Sequence, residues 1–120
     1  MRPSTLAIAF GAGRALVGIA LLAVPARITQ AWVGADDAPA GVLARCLGGR
    51  DLVIGAGLAV AAAHGGDARA WVAGGIVADA IDGAATLAAG ERLPRNGRVA
   101  TVALAGGSAL FGAWLARALD

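Results

Sequence analysis

Apolar residues in this chain come in four long runs, without the regular polar face of a soluble helix or the alternation of a half-buried strand. The runs cover about Ser4–Val24, Arg45–His64, Arg69–Ala89 and Val99–Leu119. Each is close to the roughly 20 residues that a helix rising about 1.5 Å per residue needs to cross a hydrocarbon core. Turn formers and most charges fall between them: Asp36, Asp37, Pro39 and Gly41; Gly65, Gly66 and Asp67; Glu91, Arg92, Pro94, Arg95, Asn96 and Gly97. A soluble bundle requires a polar face every three to four residues, and Val99 to Ala116 offers nothing more polar than Thr101 and Ser108. The pattern therefore predicts an all-α, integral membrane four-helix bundle, a single membrane domain over residues 1–120. A cleavable leader is the competing reading of the first run, and Arg14 in its apolar middle argues against it.

The first connection carries a further element. In Pro25–Val33, Ile28, Trp32 and Val33 share a face while Arg27 and Gln30 point elsewhere, which predicts a short interfacial helix after the first span. Trp71 and Trp114 lie near span ends, so all three Trp are expected as interfacial anchors. Composition agrees: 58% of residues are hydrophobic and there are 19 Gly, which lets helix backbones approach closely. Ala7 and Gly11, Gly55 and Ala59, Gly74 and Ala78, and Ala103 and Gly107 fit a small-xxx-small pattern. Gly106 and Gly107 offer a flat flank for packing within the chain or against a partner subunit.

The ten basic residues are all Arg and face eight acids, for a net charge of +2, and they are scattered. Nucleic acid is not an expected partner. The positive-inside rule sets Arg2, Arg69 and Arg117 on one side against Arg27, Arg45, Arg92, Arg95 and Arg98 on the other. It leans towards cytoplasmic first and third connections. Cys46 reads as a small apolar filler and His64 as a helix-end cap beside Gly65. Together they leave any zinc site short of ligands, so no metal or cofactor is expected. No His, Cys or Ser stands near an acid at a catalytic spacing, which disfavours an enzyme.

Five charges nevertheless fall inside the runs: Arg14, Arg50, Asp51, Asp79 and Asp82. Each costs at least about 2.5–3.5 kcal/mol at the middle of a membrane, so they must find one another. Counted from the side of the first and third connections, all five lie roughly 9–16 Å deep at 1.5 Å per residue. Asp79 and Asp82 share a helix face with Gly75 and Thr86. Matching depths predict the pairs Arg14–Asp79 and Arg50–Asp82. Asp51 is then surplus, either protonated or bound to Arg45. Such a cluster either fixes how the helices assemble or lines a polar cavity for a substrate, ion or proton.

There is also an internal echo, Gly13-Arg14-Ala-Leu16-Val17 against Gly49-Arg50-Asp-Leu52-Val53. In so Ala-, Gly- and Leu-rich a chain, chance similarity and an inverted duplication both account for it.

The first span ending in Pro25, then Trp32-Val-Gly34, then Leu47-Gly-Gly-Arg50-Asp-Leu-Val-Ile-Gly55 and the third-span Ala78-Asp79 and Asp82 carry a resemblance. Over residues 6 to 90 the chain resembles bacterial small four-span membrane proteins classed as domains of unknown function, with an Arg-Asp-Leu-x-x-Gly opening. The resemblance implies a fold and an address in the bacterial inner membrane, not a reaction. The Lys-free, Arg-rich composition is similar to that of proteins from high-GC bacteria such as actinobacteria. The expected function is an accessory or scaffold subunit, with a small oligomeric transporter or proton-coupled channel as the alternative. Its partners would be the lipid bilayer and either another membrane protein or further copies of itself.

Overall fold

Prolines and acidic caps divide the chain into helices, and the computed structural model, which describes residues 1–120, contains five of them and no strand. They are α1 (Pro3–Ala23), α2 (Pro25–Val33), α3 (Ala38–His64), α4 (Ala68–Ala89) and α5 (Arg95–Ala118), with a short 3-10 turn over Gly90–Arg92. Four of these, all but α2, are long and apolar enough to cross a membrane. The protein is thus an all-α bundle with a short helix after the first long one.

Two helices start earlier than the apolar pattern predicts. α3 begins at Ala38 instead of Arg45, because Asp37 caps it by accepting from the Ala40 amide at 2.9 Å and Pro39 occupies the first turn. A proline there loses no hydrogen bond and presets the helical φ, so a segment that reads as a turn starts a helix. α5 begins at Arg95, directly after Pro94. Asp67 caps α4 through the Ala70 amide at 3.0 Å. α3 ends at Gly65, whose φ of +73° is left-handed, and His64 Nδ1 lies 3.0 Å from the Val60 carbonyl.

α1 and α3 pack antiparallel on glycine. A Cβ at Gly11 would stand 2.6 Å from the Gly55 carbonyl oxygen, and one at Gly18 would stand 2.5 Å from that of Gly48. The seven-residue spacing Gly11/Gly18 meets Gly48/Gly55 in reverse order, so each helix offers the other an equivalent surface. Ala59 joins this contact against Gly11. Gly74, Gly106 and Gly107 do not contribute in the same way, because nothing in the chain lies within 4 Å of a Cβ placed on them. The flank on α5 therefore faces outward, not into the chain.

The core proper lies at the end of the bundle holding the chain termini. Ala7, Leu58, Ala68, Val72 and Leu115 are buried together there, with Phe10 and Phe111 edge-to-face at 4.9 Å beside them. At the opposite end α2 crosses from α1 to α5, and the Trp32 backbone fits against Gly97, where a Cβ would overlap the Trp32 carbonyl. Trp71 lies flat on Gly57, so Trp32 and Trp71 are packing residues, while Trp114 is half exposed. Cys46 is exposed on α3 and fills no core space.

Candidate functional site

The five internal charges come from three helices and meet between the two ends of the bundle. Arg14 of α1 donates from Nη2 to Asp79 Oδ1 at 2.7 Å and from Nη1 to Asp79 Oδ2 at 3.0 Å. Arg50 of α3 donates to the two oxygens of Asp82 at 2.8 and 2.6 Å. Both are two-pronged guanidinium–carboxylate pairs, the geometry in which both oxygens of the acid are satisfied at once. Asp79 and Asp82 lie three apart on α4, so one helix face reaches both arginines. Gly75, one turn before Asp79, makes room: a Cβ there would be 3.3 Å from Arg14 Nη1. Thr86 Oγ1 donates to the Asp82 carbonyl at 2.7 Å, within its own helix, and makes no hydrogen bond to the charged side chains.

Asp51 is neither isolated nor bound to Arg45. Its Oδ1 accepts from Arg14 Nη2 at 3.4 Å, Arg50 Nε at 3.1 Å and Arg50 Nη2 at 3.0 Å, joining the two pairs into one network. Neighbours on a helix do not ordinarily face each other, but the Arg50 side chain is long enough to fold back over Asp51 while reaching Asp82. Three carboxylates thus surround two guanidinium groups.

The two pairs differ in exposure. Arg14 and Asp79 side chains each retain 9% of their accessible surface, whereas Arg50 and Asp82 retain 28% and 24%. Loss of the more exposed pair should therefore be the milder defect. Asp82→Asn is expected to cost about 1–3 kcal/mol of stability, and adding Arg50→Gln should recover part of it. Unfolding measurements on the two single variants and the double variant check this; simple additivity would show that the two residues do not interact.

Beside the network lies an open cleft of about 960 Å³ that all five charged residues line. Its walls are mainly apolar, from Phe10, Val17 and Leu21 of α1 and Leu104 and Ala105 of α5. Arg27, Trp32 and Asn96 form its rim at the end where α2 crosses, and Thr101 and Ser108 add hydroxyls along α5. The sequence pattern alone does not reveal these residues, because the cleft exists only where α1 and α5 diverge beneath α2. No cluster of His, Cys, Asp and Glu has the arrangement of a metal centre. Comparison with protein-family models, with curated proteins and with solved structures gives no match.

Proposed function

We propose that this chain is a multi-pass protein of the bacterial cytoplasmic membrane that acts as an accessory or scaffold subunit, its buried Arg/Asp network serving to fix the assembly of its helices. The observation that carries the reading is the mutual pairing of Arg14 with Asp79 and Arg50 with Asp82 inside a bundle whose outer surface is apolar. Leu104 and Leu110 are about three-quarters exposed, and Leu16, Val53, Val77, Ile81 and Leu87 more than half. Such a surface is unfavourable in water and ordinary against acyl chains. The bundle is 42 Å long, the thickness of a bilayer with its headgroups, roughly 40–45 Å. In lipid, leucine gains little by leaving acyl tails for another leucine, so specificity passes to close glycine contacts and polar links. This chain has both.

A second reading, a small oligomeric transporter or proton-coupled channel, is favoured by one observation: the cleft reaches Asp79, the most buried of the acids. Proton flux separates the readings, since an oligomeric transporter would equally stay in the membrane and co-purify with its own copies. The scaffold reading expects the protein to resist alkaline carbonate extraction and to co-purify from native membranes with a stoichiometric membrane partner or further copies. It also expects liposomes containing the protein to be proton-tight. A proton flux abolished by Asp79→Asn would replace it with the second reading.

A further inference from the structure

The ion-pair network holds the helices together but leaves open the space beside it. α1 and α5 touch at Phe10 and Phe111 and then part. At the other end α2 closes the gap, with Trp32 against Gly97. Between these two closures is a side window, flanked by Gly13 and Val17 on α1 and by Ala100 and Leu104 on α5, with the network as its back wall. Val17 and Leu104 are 55% and 74% exposed at its edges, so in a membrane the window opens onto hydrocarbon.

The shape limits what can enter. A partner's transmembrane helix must run through the whole hydrocarbon core, roughly 30 Å, and this cleft is shut at both ends. Its α1 wall runs from Ala9 to Leu21, about 18 Å at 1.5 Å per residue. A compact molecule arriving from the lipid does fit, since about 960 Å³ lies within the range of small-molecule sites, roughly 300–1,000 Å³.

The charge limits it further. Asp79 and Asp82 each use both oxygens on arginine, but Asp51 accepts only through Oδ1. Its Oδ2 has no partner and is not sealed from the open space. Three carboxyl groups stand in the back wall against two guanidinium groups, so the third offers an acceptor that a cation can occupy. Arg27 on the rim is exposed and bridges to none of the three acids.

We infer that this window binds a lipophilic organic monocation, its apolar body against Phe10, Val17 and Leu104 and its positive charge at Asp51 Oδ2. The inference rests on the membrane reading, because the ligand enters from lipid, but it requires neither transport nor a protein partner.

Tetraphenylphosphonium is a suitable probe, with binding measured by equilibrium dialysis on the full chain in an uncharged detergent. The expected result is saturable binding of one cation per chain, weakened at least tenfold by Asp51→Asn, with no saturable binding in a separate dialysis of tetraphenylborate, which has the same shape and the opposite charge. Gly13→Phe should abolish binding without lowering thermal stability, since a side chain at that position starts in open space. Absence of saturable binding, equal binding of tetraphenylborate, or unchanged binding by Gly13→Phe or by a folded Asp51→Asn would overturn the inference. Should Asp51→Asn fail to fold, the borate comparison and Gly13→Phe still decide. The membrane reading fails separately, if alkaline carbonate releases the protein from membranes.

Discussion

Asp79→Asn is expected to lower the stability of the detergent-solubilised protein by about 3 kcal/mol, the lower end of what breaking a buried ion pair costs. The cost comes less from the bond removed than from the charge left behind. Arg14 is nine-tenths buried, and once Asp79 is neutral its nearest remaining carboxylate is Asp51, at 3.4 Å. That contact keeps the loss from reaching the upper end of the range. Arg14→Gln in the same chain removes the stranded charge, so the double variant should be more stable than the sum of the single losses predicts. A coupling of at least about 1 kcal/mol in a double-mutant cycle is the result to look for. The two-pronged geometry also makes Arg14→Lys a poor substitute, since an ammonium group cannot satisfy both Asp79 oxygens in one plane.

Gly55→Ala should be comparably damaging although it adds only one methyl group. The new Cβ would lie 2.5 Å from both the Ala15 amide nitrogen and the Gly11 carbonyl oxygen. Both are backbone atoms, so no side-chain rotation relieves the overlap and the two helices must separate. Overpacking of this kind costs about 1–3 kcal/mol and sometimes more; because the whole α1–α3 contact opens, the upper part of that range applies. The better helix propensity of alanine returns about 1 kcal/mol at most. Gly13→Ala supplies the control. It lies two residues from Gly11 on the same helix and meets nothing within 4 Å, so it should be neutral or stabilising by up to about 1 kcal/mol. Equal losses from the two variants in an unfolding titration would mean that α1 and α3 do not cross on these glycines.

Much of the fold is legible in the sequence because the physics of long apolar runs is simple. A run near 20 residues, bounded by proline, glycine and charge, predicts a helix and its length. Opposite running directions then place Arg14 level with Asp79 and Arg50 level with Asp82. Three features are not legible in this way, each for a local reason. The start of α3 is hidden because Pro39 and Gly41 signal a turn unless Asp37 is seen as the cap. The partners of Asp51 are hidden because adjacent helical residues seldom pair, and the length of the Arg50 side chain lets it fold back beside the contact from Arg14. The α1–α3 crossing is hidden because it uses a seven-residue glycine spacing among many small residues. Of the four small-xxx-small pairs, the two that include Gly11 and Gly55 lie in that crossing, whereas Gly74 and Gly107 face outward. The cleft lies further from the sequence still, since it depends on where α2 turns back across the bundle.

The most direct examination of the account is the distance between the Arg14 guanidinium nitrogens and the Asp79 carboxyl carbon, measured by solid-state nuclear magnetic resonance on labelled protein in lipid bilayers. The account predicts the through-space nitrogen–carbon dipolar coupling of a hydrogen-bonded ion pair, lost in Asp79→Asn. An absence of coupling in folded, bilayer-embedded protein would contradict it, since Arg14 would then lie within the membrane without the partner on which the assembly depends.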